Sequence, residues 1–334
     1  MLGKQDRLQC EVSLNPQVTL LEYCRPFKGA SFQWPDLPLP VKPSLIWWQQ
    51  WLDETPKDLQ FQSLLTVLPQ LMIKPHNGAS HSEIYKNLVL LGKEDIQVDQ
   101  DKQLRLKDPQ GFSVRLANHP CGSMPVIEIT EKEDFLNVVR CLVYRCELTQ
   151  IQPSVHAQAV AGLIHWGLIR KLNFQERAQL IILHQSPYSS LPASIIPGEP
   201  TTEQWLNISQ VWRLEHELTH IATKCLVGEM RLNLFDELVA DALGMLNSLG
   251  LFSAEIFRLG LGLNVDATSN QNSRVHTYIK GLNKKESTDA CEFVLQRAQE
   301  LEKLLEANLI PHERIALLRY LTKQQLNQSF LTAY

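Results

Sequence analysis

A chain of 334 residues with 44% apolar and 20% charged side chains can bury a substantial core, and its composition is globular rather than disordered. A net charge of −4 with no basic block argues against nucleic acid as a partner. Seven scattered cysteines (Cys10, Cys24, Cys121, Cys141, Cys146, Cys225 and Cys291) contain no CxxC pair. That pattern argues against a disulfide framework or a thiolate zinc site and points to a reducing cytoplasm.

Residues Met1 to Arg7 lead into no apolar stretch of the kind that marks a secretory signal, and no run of about eighteen apolar residues suggests a membrane span. Prolines 26, 35, 38, 40 and 43 punctuate an irregular connector. Residues 44–52 read as a helix with Trp47, Trp48 and Trp51 on it, a core anchor rather than a ligand platform, because large aromatics dominate cores. His76 and His81 flank the turn signal Asn77-Gly78 and read as loop residues. Short strands are predicted at 87–91, 96–98, 104–106, 112–116 and 126–129, forming a small mixed or antiparallel sheet. Helical periodicity is predicted over 131–147, and again over 155–172, which carries His156 and His165. Residues 178–185 form the clearest strand, β-rich and short, ending in Ser186-Pro187-Tyr188-Ser189.

The chemistry concentrates after Pro200. Thr201 and Gln204 form a capping-box pattern that opens a helix, and Gly228 fits its C-terminal cap. This helix carries His216-Glu217-Leu218-Thr219-His220, an HExxH sequence. Residues i and i+4 share a helix face, so His216 and His220 can offer two imidazoles to one cation. Glu217 sits beside them as a carboxylate able to take a proton from an activated water. A second helix from near Asn233 to Gly250 carries Glu237 and Asp241 within an apolar segment. Buried carboxylates need a partner, and a bound cation is one. His216, His220 and Glu237 make three ligands with an open fourth position, the count of a catalytic zinc site. Asp241 would accept the free ring N–H of a ligand histidine.

HELTH followed by ExxADxxG (Glu237 to Gly244) resembles the gluzincin metallopeptidases, the thermolysin-like clan, over about fifty residues. The resemblance implies one Zn2+ per chain on His216, His220 and Glu237, with Glu217 as general base and Asp241 orienting a histidine. The wider stretch from Met124 to Gly250, with MPVIEI, SPYS and GEMRLNLFDELVAD, resembles a bacterial family without an established activity. Larger gluzincins complete the site with a downstream His or Tyr and an Arg, which makes His276, Tyr278 and Arg274 candidates here. The strand at 178–185 is expected, by the same resemblance, to hold an extended peptide at a sheet edge. His184 and Tyr188 at its end would then be oxyanion donors. Arg231, between the two metal helices, either anchors a substrate carboxylate or pairs with Asp236. Beyond the site, Gly260 and Gly262 are too few for a phosphate loop, and helices are predicted at 253–261, 287–307 and 311–329.

The expectation is an α+β protein, with a small N-terminal mixed region over residues 1–122 and a largely helical zincin-like half over 123–334. The expected function is zinc-dependent hydrolysis of a peptide or small amide substrate. The alternative is a non-catalytic zincin-like binding or regulatory protein, in which Glu217→Gln would leave biological activity intact.

Overall fold

The computed structural model describes residues 18–29, 33–153, 155–172 and 178–333; Met1 to Arg7 and Cys10 lie outside the described residues. The chain is α+β. In order it runs α1 (Leu20–Cys24), α2 (Pro43–Glu54), α3 (Gln60–Val67), α4 (Glu83–Tyr85), β1 (Phe112–Ala117), β2 (Met124–Ile129), α5 (Lys132–Val143) and β3 (Ala157–Leu163). There follow α6 (Trp166–Leu172), β4 (Ala178–His184), α7 (Thr202–Val227), α8 (Leu234–Leu249), α9 (Ala254–Leu261), α10 (Lys284–Glu306) and α11 (Arg314–Leu321).

Two compact units are interleaved along this chain. One combines residues up to 30 with Arg231–Val239 and Ser253–Tyr334; the other combines Ser31–Met230 with Ala240–Phe252. Helix α8 contributes its first turns to one unit and the remainder to the other. The sheet runs across the boundary expected at 122/123, since β1 and β2 pair along six positions on either side of it.

The second unit is built on a four-stranded mixed sheet in the order β1-β2-β4-β3, with β2 and β4 parallel and the outer pairs antiparallel. The central strands are apolar on both faces, as expected for strands covered on both sides. Ile127, Ile129, Leu180 and Ile182 join one cluster with Phe135, Val138 and Val139 of α5. Their neighbours Val126, Ile181 and Leu183 join another with Leu218 of α7. Alternation along the strands thus sends α5 to one face and α7 to the other. Trp47, Trp48 and Trp51 are buried together as a core anchor, with Trp47 and Trp48 edge-on to His165.

Several expectations are corrected. Residues 86–90 form a π-turn rather than a strand, and no regular strand forms at 96–98 or 104–106. The predicted helix over 155–172 is instead β3 followed by α6. Its alanine-rich sequence favours a helix locally, but pairing with β4 overrides that preference. This pairing also makes β4 an interior strand, so its backbone is already engaged on both sides and cannot hold an added peptide. In the first unit, α10 starts three residues early on an Asn283–Glu286 capping box, and α11 covers only part of the predicted 311–329.

Candidate metal centre

Helix α7 begins with the capping box read from sequence: Thr201 Oγ1 accepts from the Gln204 N–H, and Gln204 Oε1 accepts from the Thr201 N–H at 2.8 Å. It ends at Gly228, whose left-handed φ of 77° terminates the helix without the strain a side chain would suffer. Leu214, Leu218 and Ile221 pack on the sheet. At about 100° per residue, His216 and His220 lie roughly 200° around the helix from that contact. The helix therefore commits one face to the core and holds both imidazoles on another. Both histidines are buried, whereas Glu217 is partly exposed.

The two imidazoles converge. His216 Nε2 and His220 Nε2 are 3.1 Å apart, and the rings meet nearly edge to face. The other nitrogen of His216 faces Asp241, with Nδ1 2.8 Å from Oδ1. Asp241 Oδ1 also receives the indole N–H of Trp212 at 3.1 Å and the phenol O–H of Tyr188. An indole nitrogen can only donate, so Oδ1 is an acceptor and the imidazole proton belongs on Nδ1. That leaves a lone pair on Nε2, aimed toward His220.

His216, His220 and Glu237 each offer one ligand atom, and the three atoms lie within 4.8 Å of one another. This buried His/His/Glu cluster could hold a metal ion, and the fixed tautomer of His216 fits that use, since a ligand nitrogen must be unprotonated. Glu237 itself, 1% exposed, is gripped by the Arg274 guanidinium. Arg274 also donates from Nε to the Tyr278 hydroxyl at 2.9 Å and lies 5.5 Å from that ring. Burial holds the Tyr278 phenol well above its usual range, and the Glu237 carboxylate pushes the same way against Arg274. Tyr278 is consequently a protonated donor near the carboxylate ligand.

The other nominated residues fall elsewhere or take other roles. Tyr188 touches Asp241 and the Nδ1 side of His216, at 3.0 Å, so it braces the histidine from behind rather than facing a reacting carbonyl. His184 shares strand parity with Leu180 and Ile182 and faces α5, on the sheet side opposite α7. There its Nδ1 is 3.0 Å from His156 Nδ1, and Lys132 Nζ is 3.2 Å from the same His156 nitrogen. Burial pushes His184 down to about 4 and His156 down to about 3, with Lys132 and Arg213 adding to both shifts. Burial likewise lowers Lys132 to about 8. His276 is occupied with Ser269 Oγ and the Asn270 carbonyl, at 3.2 and 2.9 Å. His165 sits among the tryptophans, and burial pushes it down to about 3.

Arg231 packs toward α1. Its guanidinium donates to the carbonyls of Glu22, Tyr23 and Arg25, capping the end of α1. Asp236 accepts from the backbone N–H groups of Arg231 and Leu232, at 3.0 and 3.1 Å. Sequence reasoning missed the role of Trp212 as a donor to Asp241. The signal for Trp212 was its position four residues before His216, on the same helix face.

No helix among the described residues is long and apolar enough to cross a membrane. No curated protein and no solved structure matches the chain. A family of unknown function, DUF7005, matches residues 19–179 and 173–329, and the chain belongs to it.

Proposed function

We propose that the protein is a zinc-dependent hydrolase acting on a peptide or small amide bond. The observation that carries this reading is the convergence of His216, His220 and Glu237 within 4.8 Å, with Glu217 next to one ligand on the same helix. Two imidazole nitrogens and one carboxylate oxygen suit zinc in both ligand type and number. When bound, zinc would supply Lewis acidity toward a carbonyl and lower the pKa of a coordinated water.

The chain's own residues would do the rest. Asp241 keeps the His216 proton on Nδ1 and so leaves Nε2 free for coordination. Glu217, partly exposed where its neighbours are buried, accepts the proton of the attacking water and returns it to the leaving amine. Tyr278, held protonated by burial and linked to Glu237 through Arg274, is the donor best suited to a developing oxyanion. The scattered cysteines without a CxxC pair fit a reducing cytoplasm as its location.

The test is zinc content and turnover together. Purified wild type should hold about one zinc per chain, and Glu237→Ala should lose it under metal-limited conditions. Glu217→Gln should keep the zinc and lose at least about 100-fold in hydrolysis of a responsive peptide or amide, the usual contribution of a positioned general base. Zinc-free wild type that takes up none on addition would refute the hydrolase reading. Zinc binding with biological activity insensitive to Glu217→Gln would favour the non-catalytic alternative.

A further inference from the structure

The Asp241 carboxylate lies at the meeting point of three donors from two separate chain segments, and this arrangement assigns roles to residues that the zinc-ligand pattern leaves unexplained. Tyr188 and Trp212 both donate to the same oxygen, Oδ1, that faces His216 Nδ1. Their rings are stacked, with centroids 4.0 Å apart and planes 13° from parallel. A carboxylate that is 1% exposed has lost its hydration and needs donors to replace it. Tyr188 and Trp212 are such donors.

Each is held in place by its own support. The Tyr188 backbone N–H donates to Ser209 Oγ at 2.9 Å. Arg213, on α7, donates to the carbonyls of His184, Ser186 and Pro187 at 3.0–3.2 Å and lies 5.7 Å from the Tyr188 ring. The Ser-Pro-Tyr-Ser loop is thereby stapled to the helix bearing His216. Trp212 depends on Gly244, three residues after Asp241 on α8. A Cβ at 244 would overlap the indole at Cδ1 and come within 2.8 Å of Nε1. Only a residue without a side chain lets the indole reach Oδ1.

We propose that Tyr188, Trp212 and Gly244 form a positioning unit that holds the Asp241 carboxylate against His216 Nδ1 and so locks His216 in the Nδ1–H tautomer, thereby setting the metal affinity of the site. On this view the pattern ExxADxxG has three functions: Glu237 offers a ligand, Asp241 orients His216, and Gly244 makes room for the indole that steadies Asp241. The affinity part of this inference rests on the proposed zinc site; the tautomer part does not.

The experiment therefore has two arms. In metal-stripped protein labelled with 15N-histidine, two-bond correlation spectra report which ring nitrogen of His216 carries the proton, with assignment by His216→Gln. Wild type should show Nδ1–H, and Tyr188→Phe and Trp212→Phe should each shift His216 toward a tautomer mixture. In the second arm, zinc affinity is measured against a competing chelator. Each variant should bind roughly tenfold more weakly, within the range typical of residues that hold a ligand in place. Gly244→Ala should match Trp212→Phe. Trp205→Phe is the control: it removes another buried indole, one bonded to the Leu191 carbonyl, and should leave zinc affinity unchanged.

Unaltered His216 tautomer in both Tyr188→Phe and Trp212→Phe would overturn the proposal. So would zinc affinity that falls as much in Trp205→Phe as in Trp212→Phe, because the effect would then be general destabilisation. If wild type binds no zinc, the hydrolase reading falls while the tautomer arm still decides the role of this unit.

Discussion

Replacing Arg274 by Met should make the stability of the protein depend on zinc. The Glu237 side chain is 2% exposed and that of Arg274 17%, so the pair is largely out of water. Removing the guanidinium strips the buried Glu237 carboxylate of this positive partner, and breaking a largely buried pair in that way costs about 3–5 kcal/mol. At about 2–4 °C per kcal/mol for sizeable domains, the unfolding midpoint in a chelator should fall by on the order of 10 °C. A cation on His216, His220 and Glu237 would supply the compensation that the guanidinium no longer gives. Zinc at about 100 times its Kd stabilises by about 2.7 kcal/mol whatever the mechanism. At the same free zinc concentration the rise in Arg274→Met should exceed the wild-type rise, because zinc that no longer competes with Arg274 for Glu237 has a lower Kd. Calorimetry of both proteins with and without zinc measures the difference. Arg274→Lys, which retains charge but loses the planar fork, should fall between the two. Equal midpoints for wild type and Arg274→Met in chelator would refute the argument. So would zinc-induced rises of equal size, since Glu237 would then not be shared between guanidinium and cation.

Two further outcomes follow from the scaffold. Thr201→Ala removes the side chain that caps α7 and should destabilise by about 0.5–2 kcal/mol in urea titration, with zinc affinity per folded molecule unchanged. His165, pushed down to about 3 by burial against a usual value of 6.5, binds a proton in the unfolded chain before it does so in the folded one. Stability should therefore fall as pH drops from about 6.5 toward 3, with this residue contributing nothing at pH 8. One such proton gives a slope of about 1.4 kcal/mol per pH unit. His165→Asn, which keeps an acceptor for the Leu168 N–H, should reduce the slope between pH 6 and 4 by about that amount. An unchanged slope would mean that His165 is not the buried neutral group invoked here.

What was legible in the sequence was local and periodic. Spacing alone brought His216 and His220 to one face, and the cap residues Thr201 and Gly228 bounded their helix, because both rules act within a few residues. The α+β class followed from strong runs such as 178–185 and 126–129, which the structure forms as β4 and β2. The expectations that failed were decided by distant partners, although the contact of Asp241 with His216, 25 residues apart, was legible. Residues 157–163 carry alanines suited to a helix, yet β4 recruits them as a strand, and that same pairing takes β4 away from the sheet edge. The error then propagated to His184: its parity on an interior strand commits it to the α5 face, whereas Tyr188, four residues later and past the strand's end, reaches Asp241. Glu237 and Arg274 are 37 residues apart with no shared period. Their pairing follows from the need of a buried carboxylate for a positive partner, and the chain offers either guanidinium or metal in that role. The sequence names the carboxylate and its histidine neighbours, and if the proposed centre takes a cation, competition with Arg274 for Glu237 would set how tightly it binds.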